Sequence, residues 1–163
     1  MIIPENAYPD LASIRELQAQ EAEFSIFVHA GSVRSLEQAA SERGQIPEQV
    51  VRSLVFRLAE DRFAMILAAG AAKLPWKKLR AHFGQRRLSQ ASPEEVLRVT
   101  GYEVGTVSPF GLARDLPIHI EEGVLKQDTL SMGSGRAGTA LLMSSAQLQA
   151  ALPAAQHIAV FED

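Results

Sequence analysis

Two glycine-rich segments contain the residue types best suited to binding an oxygen-rich ligand. The first, residues 101–111 (GYEVGTVSPFG), has three glycines, one proline and two aliphatic hydroxyl residues in 11 positions. Glycine lets the backbone adopt positive φ angles and approach a ligand closely, so this loop can offer N–H groups to a carbonyl or phosphate oxygen. The same residues also fit a helix that ends at Gly101 and continues into ordinary turns, and both interpretations stay open.

The second segment, residues 131–138 (SMGSGRAG), has three glycines in six positions beside Arg136. An arginine in a glycine-rich loop suits an anionic ligand such as phosphate. The spacing is not that of a Walker A loop and no strand-to-helix pattern surrounds it, which excludes a P-loop nucleotide hydrolase. A mobile loop between two strands is the alternative interpretation.

Arg52 interrupts the apolar segment VVRSLVFRL, residues 50–58, which is typical of a buried strand. Because side chains alternate across a strand, Arg52 shares one face with Leu54 and Phe56, while Ser53 and Val55 share the other. Both faces contain apolar residues, so the pattern does not decide which one is buried. An unpaired buried charge is costly, so Arg52 either reaches solvent along the strand or points into a cavity that receives an anion or a carbonyl.

Other catalytic chemistries are poorly represented. The chain has no cysteine, which excludes disulfides, thiolate catalysis and cysteine-ligated metals. Its four histidines (His29, His82, His119 and His157) are far apart and lack metal-ligand spacing, so we expect structural or surface roles for them. No serine lies in a Gly-x-Ser-x-Gly elbow. We therefore predict neither a metal site nor a cofactor.

Positive charge is concentrated in one segment of an acidic chain. The formal net charge is −3, yet residues 73–87 hold six of the 16 basic residues and no acid: Lys73, Lys77, Lys78, Arg80, Arg86 and Arg87. Such a patch can contact phosphates while the rest of the protein stays soluble. A solvated helix face rich in lysine and arginine explains the same composition.

Local signals predict helices interleaved with strands. Helix starts are indicated at Asp10, Ser35, Pro75, Ser92 and Ser144, with glycine or proline stops at Gly44, Gly84, Gly101 and Pro153. Strands are predicted at 24–30, 50–58, 62–68, 117–121, 124–128 and 139–143, the second and third forming a hairpin that turns at residues 60 and 61. This order favours an α+β fold with a mixed, largely antiparallel sheet.

The 163 residues suit a single domain spanning 1–163. No stretch approaches the roughly 20 apolar residues of a membrane span. The first ten residues, MIIPENAYPD, lack a basic region followed by an apolar one, so we expect no secretion signal. We therefore expect a cytoplasmic protein.

Taken in order, three segments resemble the YbaK/prolyl-tRNA-synthetase-associated family of trans-editing deacylases. They are VVRSLVFR at 50–57, GYEVGTVSPFG at 101–111 and GSGRAG at 133–138, within a resemblance that covers roughly residues 35–152. The second is the most specific because it has many fixed positions. The resemblance implies a compact mixed β-sheet surrounded by helices, and a free-standing protein that hydrolyses the ester of a mischarged tRNA without a metal or a covalent nucleophile.

The resemblance also implies site residues and partners. Its expected substrate is a tRNA, such as proline tRNA, charged with a small amino acid, and a synthetase is a further expected partner. Arg52 takes the catalytic position, and the basic segment and Arg136 would contact tRNA. The implied substrate-binding residues are Ser53, Gly105, Thr106, Val107, Ser108, Pro109, Phe110, Gly111, Gly133, Ser134, Gly135 and Gly138.

One departure from the family leaves the function open between two hypotheses. Arg52 stands where the family usually has a lysine, and arginine is wider and a poor proton donor at neutral pH. If the position anchors a phosphate, Arg52 serves and the protein is an active deacylase. Otherwise the protein binds a tRNA 3′ end, an aminoacyl adenylate or another nucleotide without catalysis. The sequence names neither the amino acid nor the tRNA, and the oligomeric state stays unknown.

Overall fold

Serine side chains cap three of the helices. In the computed structural model, which describes residues 1–161, Ser35, Ser92 and Ser144 each accept a hydrogen bond from the backbone N–H three residues on, at 3.0, 3.2 and 3.0 Å. These caps confirm the helix starts predicted at Ser35, Ser92 and Ser144. The α-helices are α1 (Ala12–Ala19), α2 (Leu36–Glu42), α3 (Trp76–Phe83), α4 (Pro93–Thr100), α5 (Glu122–Leu125) and α6 (Ser145–Ala151).

The strands form two sheets in an α+β arrangement, which confirms the predicted fold class. One sheet has the order β1-β2-β8-β7 and is antiparallel throughout. The other has the order β5-β3-β4-β6-β9, in which β6 pairs parallel with both β4 and β9. The strands are β1 (Ile2–Ile3), β2 (Ser25–Val28), β3 (Val51–Ala59), β4 (Arg62–Ala69), β5 (Ser89–Gln90), β6 (Ile118–Glu121), β7 (Thr129–Gly133), β8 (Thr139–Ser144) and β9 (Gln156–Ile158).

Strand β3 is buried on both faces, which explains its two-sided apolar pattern. Val51 and Val55 belong to the main core, which includes residues of both sheets and of α1, α4 and α6. Phe56 belongs to a second cluster in which α3 covers the outer face of the five-stranded sheet, and the Phe56 and Trp76 rings meet edge to face at 5.8 Å. Arg52 therefore shares the α3 face of the sheet, and Ser53 shares the face of the main core.

One edge of β3 is only partly paired. The strand pairs with β4 along its length, from Val51 opposite Ala69 onwards. On its other edge, an isolated parallel bridge joins Val50 to Ser131, and β5 pairs only opposite Phe56 and Arg57. Between these points, the structure gives residues 52–54 no strand partner on that edge within the described residues. This gap is where the candidate site lies.

Two local predictions were wrong. Asp10 does not cap α1: the N-cap is Leu11 and it makes no side-chain cap hydrogen bond, so packing of Ile14 and Leu17 in the core defines this helix. The strand predicted at 124–128 is absent because residues Glu122–Leu125 form α5. A single buried residue, Val124, fits one helical turn as well as a strand. A pattern this short therefore does not distinguish a helix from a strand.

Within residues 1–161, no helix is long and apolar enough to cross a membrane.

Candidate functional site

The predicted motifs meet at one cleft of about 1140 Å³ along the open edge of β3. Its walls include residues 50–55 from the β3 segment, 104–107 from the first glycine-rich loop, and 132–133 and 136–139 from the second. The main-chain hydrogen bond from Ala91 N–H to the Val55 carbonyl, at 2.9 Å, closes one end of the edge. The cleft is large enough for a small molecule or for the end of a polymer.

Arg52 and Ser53, which both line the cleft, each contain a buried polar atom without a partner. Arg52 Nη2 donates to the Ala72 carbonyl at 2.7 Å, while its Nε is buried without a hydrogen-bond partner in the described chain. Burial lowers the pKa of the Arg52 guanidinium, because removal from water disfavours its charged form. Ser53 Oγ is likewise buried and unpaired within the described residues. Buried polar atoms without partners are rare, so these two residues differ from the rest of β3.

The first half of the 101–111 loop lines the cleft. Gly105 adopts φ 91°, a conformation that favours glycine, and Thr106 closes a turn onto the Glu103 carbonyl through its N–H at 3.0 Å and its hydroxyl at 2.8 Å. Among the hydrogen bonds of the described residues, none is donated by the N–H of Gly105 or of Val107, on either side of Thr106. Loop N–H groups without a partner in the protein can serve as donors to a bound oxygen.

The second half of the same loop anchors it instead of lining the cleft. Ser108 and Phe110 are fully buried, and the Phe110 N–H donates to Ser108 Oγ at 3.2 Å. The Tyr102 hydroxyl donates to the Phe110 carbonyl at 2.5 Å, and the Gly111 N–H donates to Glu16 Oε2 at 2.8 Å. Of the predicted substrate-binding residues in this loop, Gly105, Thr106 and Val107 thus line the cleft. Ser108, Pro109, Phe110 and Gly111 do not.

The second glycine-rich loop joins β7 to β8 and packs directly on the first. The Gly135 N–H donates to the Thr106 carbonyl at 2.7 Å, and a Cβ added at Gly133 would lie 2.2 Å from the Val107 carbonyl oxygen. Gly133 and Gly138 line the cleft, whereas Ser134 is fully buried and accepts from the Arg136 N–H at 3.1 Å. Neither Ser134 nor Gly135 is part of the cleft lining.

The predicted tRNA-binding cations divide into two groups. Arg136 lines the cleft, with its guanidinium 4.5 Å from the centre of the Tyr8 ring. The others lie on α3 and beside it and do not line the cleft. Lys73, Lys77, Lys78, Arg86 and Arg87 are exposed, and Arg80 is half-buried. Arg52 links the two regions, because the carbonyl that it binds belongs to Ala72, the residue before Lys73.

The cleft lining carries positive charge only. Its ionisable residues, within the described chain, are Arg43, Arg52, Arg136 and His29, and none is acidic. Since the protein as a whole has a net charge of −3, this local excess favours an anionic or oxygen-rich ligand.

Sequence reasoning missed His29 and Arg43. His29 Nδ1 lies 2.9 Å from Glu42 Oε1, and Arg43 Nε donates to His29 Nε2 at 3.1 Å. Arg43 Nη1 also donates to Ser131 Oγ at 2.9 Å. The pattern of residues 29–43 offered no signal for this network, because it depends on a partner 88 positions along the chain.

The other histidines lie away from the cleft. His119 is buried on β6, where its Nδ1 is 3.3 Å from His82 Nε2. Burial, and secondarily the neighbouring His82, lower the pKa of His119. Across the described residues no three His, Cys, Asp or Glu side chains gather into a metal-binding group.

Comparison with known proteins gives consistent matches. Residues 30–151 match the family described as the aminoacyl-tRNA editing domain. The chain is 36% identical to the uncharacterized protein YwhH of Bacillus subtilis over 117 residues, which is 72% of this chain and 74% of that protein. It is 32% identical over 97 residues to a proline–tRNA ligase of Thermosipho melanesiensis, but spans only 17% of that ligase.

Solved structures agree with this match. One described as a candidate trans-editing enzyme for prolyl-tRNA synthetase superposes with a TM-score of 0.82 at 26% identity, covering 100% of both chains. The hypothetical protein APE2540 superposes with a TM-score of 0.80 at 20% identity, covering 90% of this chain and 97% of that one. The second likeness supports the fold alone.

Proposed function

Because the chain belongs to the aminoacyl-tRNA editing domain family, as its glycine–proline motif indicated, we propose that it hydrolyses the ester of a mischarged tRNA. Membership in this family supports a role in tRNA editing. The proposal adds the reaction, the residues that carry it out and the substrate class, which is a small amino acid on a tRNA such as proline tRNA.

A single observation carries the proposal. Three segments far apart in the sequence, the ones in which the resemblance to the family lies, line one cleft whose charged side chains are arginines. The 3′ end of a charged tRNA combines an ester carbonyl, ribose hydroxyls and phosphates. Such a ligand needs hydrogen-bond donors and positive charge, which this cleft offers, and no acidic side chain that would repel it.

In the proposed mechanism the first glycine-rich loop stabilises the developing charge. The N–H groups of Gly105 and Val107 would donate to the ester carbonyl oxygen as it becomes negative, which is the role of an oxyanion hole. Because Gly133 and Gly135 hold this loop from behind, its N–H groups are fixed before the substrate binds. Donors that need no rearrangement stabilise a transition state best.

Arg52 would anchor the substrate instead of transferring a proton. A guanidinium stays protonated at neutral pH even where burial lowers its pKa, so Arg52 is suited to holding a phosphate or carbonyl oxygen. Ser53 Oγ, buried and unpaired, would accept or donate a second hydrogen bond to the bound group.

Water would supply the attacking oxygen. The water oxygen bonds to the ester carbonyl carbon, the bond from that carbon to the ribose oxygen breaks, and a proton of the water passes to the ribose oxygen. The products are the free amino acid and an uncharged tRNA. No protein nucleophile is required in this scheme.

The direct test is a panel of mischarged tRNAs. Purified protein is incubated with alanyl, cysteinyl, seryl and threonyl esters on several tRNAs, proline tRNA included, and the released amino acid is measured. We expect release above the spontaneous rate for at least one ester. Spontaneous rates throughout the panel would contradict the proposal.

One observation favours a second function, binding without hydrolysis. Arg52 stands at the usual lysine of the family, and one edge of its guanidinium is already occupied by the Ala72 carbonyl. The Arg52→Lys variant discriminates between the two functions. A large gain in hydrolysis would favour a site that now only binds tRNA ends, whereas a loss would show that Arg52 is suited to its own substrate.

A further inference from the structure

Arg43, which follows α2, brings a guanidinium with neutral partners to the cleft. It is half-buried and lines the cleft. Its Nε donates to His29 Nε2 and its Nη1 donates to Ser131 Oγ. Within the described residues its Nη2 makes no hydrogen bond and is not among the buried unpaired atoms, so it remains open to a ligand.

The partners of Arg43 are uncharged because of how they are themselves bonded. A guanidinium only donates, so His29 Nε2 must be unprotonated and the ring proton must lie on Nδ1, where it is donated to Glu42 at 2.9 Å. Ser131 Oγ donates its proton to Gln45 Oε1 at 2.6 Å and therefore accepts the hydrogen bond from Arg43 through a lone pair. The imidazole thus separates Arg43 from Glu42.

As a result, the Arg43 cation lacks a direct counter-ion. Within the described chain no carboxylate oxygen lies within 4.0 Å of the Arg43 guanidinium; Glu42 contacts the neutral His29 ring instead, and its charge acts on Arg43 only from a longer distance. A partly desolvated cation held by neutral groups gains most from a ligand that brings an oxygen acceptor.

The position of Arg43 relative to the loops suggests which part of the substrate it meets. Its partner Ser131 lies two residues before Gly133 on β7, a distance of about 7 Å along a strand. Gly133 in turn packs against Val107, where we place the ester. The interval therefore fits a side-chain oxygen three bonds from the ester carbon together with one hydrogen bond of about 3 Å to the guanidinium.

Arg43 also borders a smaller depression of about 540 Å³ on its other side. Glu5 and Glu23 line that depression, and their charges disfavour an oxygen-rich ligand there. The acid-free cleft is the better location for such a ligand.

We propose that Arg43 determines which amino acid is accepted, favouring a small side chain that ends in a hydroxyl or carboxylate oxygen over an apolar side chain of the same size. This inference rests on the proposed deacylase function. His29 and Ser131 act as positioning residues, because they orient the guanidinium and need not touch the substrate.

Matched pairs of substrates test this inference. Hydrolysis is measured for threonyl and valyl esters, which are nearly isosteric, and for seryl and alanyl esters, on one tRNA. We expect the wild type to prefer the oxygen-bearing member of each pair by about tenfold or more, the size expected for one hydrogen bond to a charged group. Arg43→Met should abolish the preference and Arg43→Lys should retain part of it. Arg15→Met, an exposed arginine of α1, serves as the control and should leave the preference unchanged.

A binding measurement separates this inference from the deacylase proposal. Adenosine carrying a threonyl or valyl group through a 3′ amide cannot be hydrolysed, and its affinity is measured for wild type and Arg43→Met, with thermal unfolding as the check on folding. A threonyl preference that Arg43→Met removes supports the inference even if no ester is hydrolysed. Equal affinity for both analogues, binding of neither, or a preference that survives in Arg43→Met would overturn it.

Discussion

Gly133 and Val107 show at the residue scale how the cleft wall is held. A Cβ at Gly133 would lie 2.2 Å from the Val107 carbonyl oxygen and 2.8 Å from the Thr106 carbonyl oxygen, so only glycine allows β7 to approach the first loop this closely. The close approach fixes the loop whose N–H groups we assign to the ester oxygen. Any side chain here must displace backbone.

We therefore predict that Gly133→Ala lowers the deacylation rate by about 100-fold, since a shift near 1 Å in a catalytic group can cost that much. Gly123→Ala is the matched control: Gly123 lies in α5, away from the cleft, and its added Cβ would make an ordinary 3.6 Å contact with Ala69. Deacylation rates and thermal midpoints are measured for both. Equal activity of the two folded variants would contradict the assigned role of the loop.

Tyr102 anchors the same loop, and we predict that the stability it contributes depends on pH. Burial raises the pKa of Tyr102 to about 12 from the ordinary value of 10.0, which keeps its hydroxyl protonated as the donor to the Phe110 carbonyl. Because the pKa is raised on folding, this stabilisation is fully present below pH 10 and declines as the pH rises from about 10 towards about 12.

The free energy of unfolding is measured in urea between pH 8 and pH 11 for the wild type and for Tyr102→Phe, and the two values are compared at each pH. We expect a constant difference up to about pH 10 and a narrowing above it, with a slope of at most about 1.4 kcal/mol per pH unit. The contributions of other titrating groups cancel in this difference because both proteins contain them. A difference that stays constant to pH 11 would show that this hydroxyl is not protected by burial.

At the scale of elements, α3 combines a structural face with a charged one. Trp76, Leu79 and Phe83 pack on the outer face of the five-stranded sheet, which leaves Lys77 exposed to solvent. Arg86 follows the helix and is also exposed. Since Arg52 contacts the segment just before α3, bound tRNA would extend from the cleft along this side.

Replacing Lys77 and Arg86 with glutamine should weaken tRNA binding and make it less sensitive to salt. Each lost phosphate contact should reduce the slope of log affinity against log salt concentration by roughly 0.7 to 0.9. Arg15→Gln with Arg62→Gln removes the same charge from two other exposed positions and serves as the control. Equal slopes for the two double variants would contradict a tRNA contact along α3.

At the scale of the whole molecule, local sequence signals predicted the helices and strands correctly where a few neighbouring residues determine the structure. Ser92 caps α4 and Gly101 ends it with φ 82°, as the sequence indicated. Strands β5 and β9 were missed because they have two and three residues and form only by pairing with distant strands. The buried face of β3 was undecidable because both of its faces are covered.

The candidate site was likewise predictable where neighbouring residues form a motif, and not where it depends on distant contacts. The segments around Arg52, Thr106 and Gly133 were recognisable from residue types and spacing, and the structure brings them to one cleft. The role of Arg43 was not recognisable, because it depends on contacts with His29 and Ser131 that only the tertiary fold creates. Within the 101–111 loop, spacing alone did not separate residues that line the cleft from residues that anchor it.

The most direct measurement is the rate at which free amino acid leaves a mischarged proline tRNA in the presence of excess protein. We predict that the wild type releases at least one small amino acid at least about 100-fold faster than spontaneous hydrolysis, a modest acceleration for an enzyme. Arg52→Ala should lower that rate by about 10- to 100-fold, the effect of losing a charge-assisted hydrogen bond. Release at the spontaneous rate for every ester, by wild type and variant alike, would contradict the proposal that this cleft is a deacylase site.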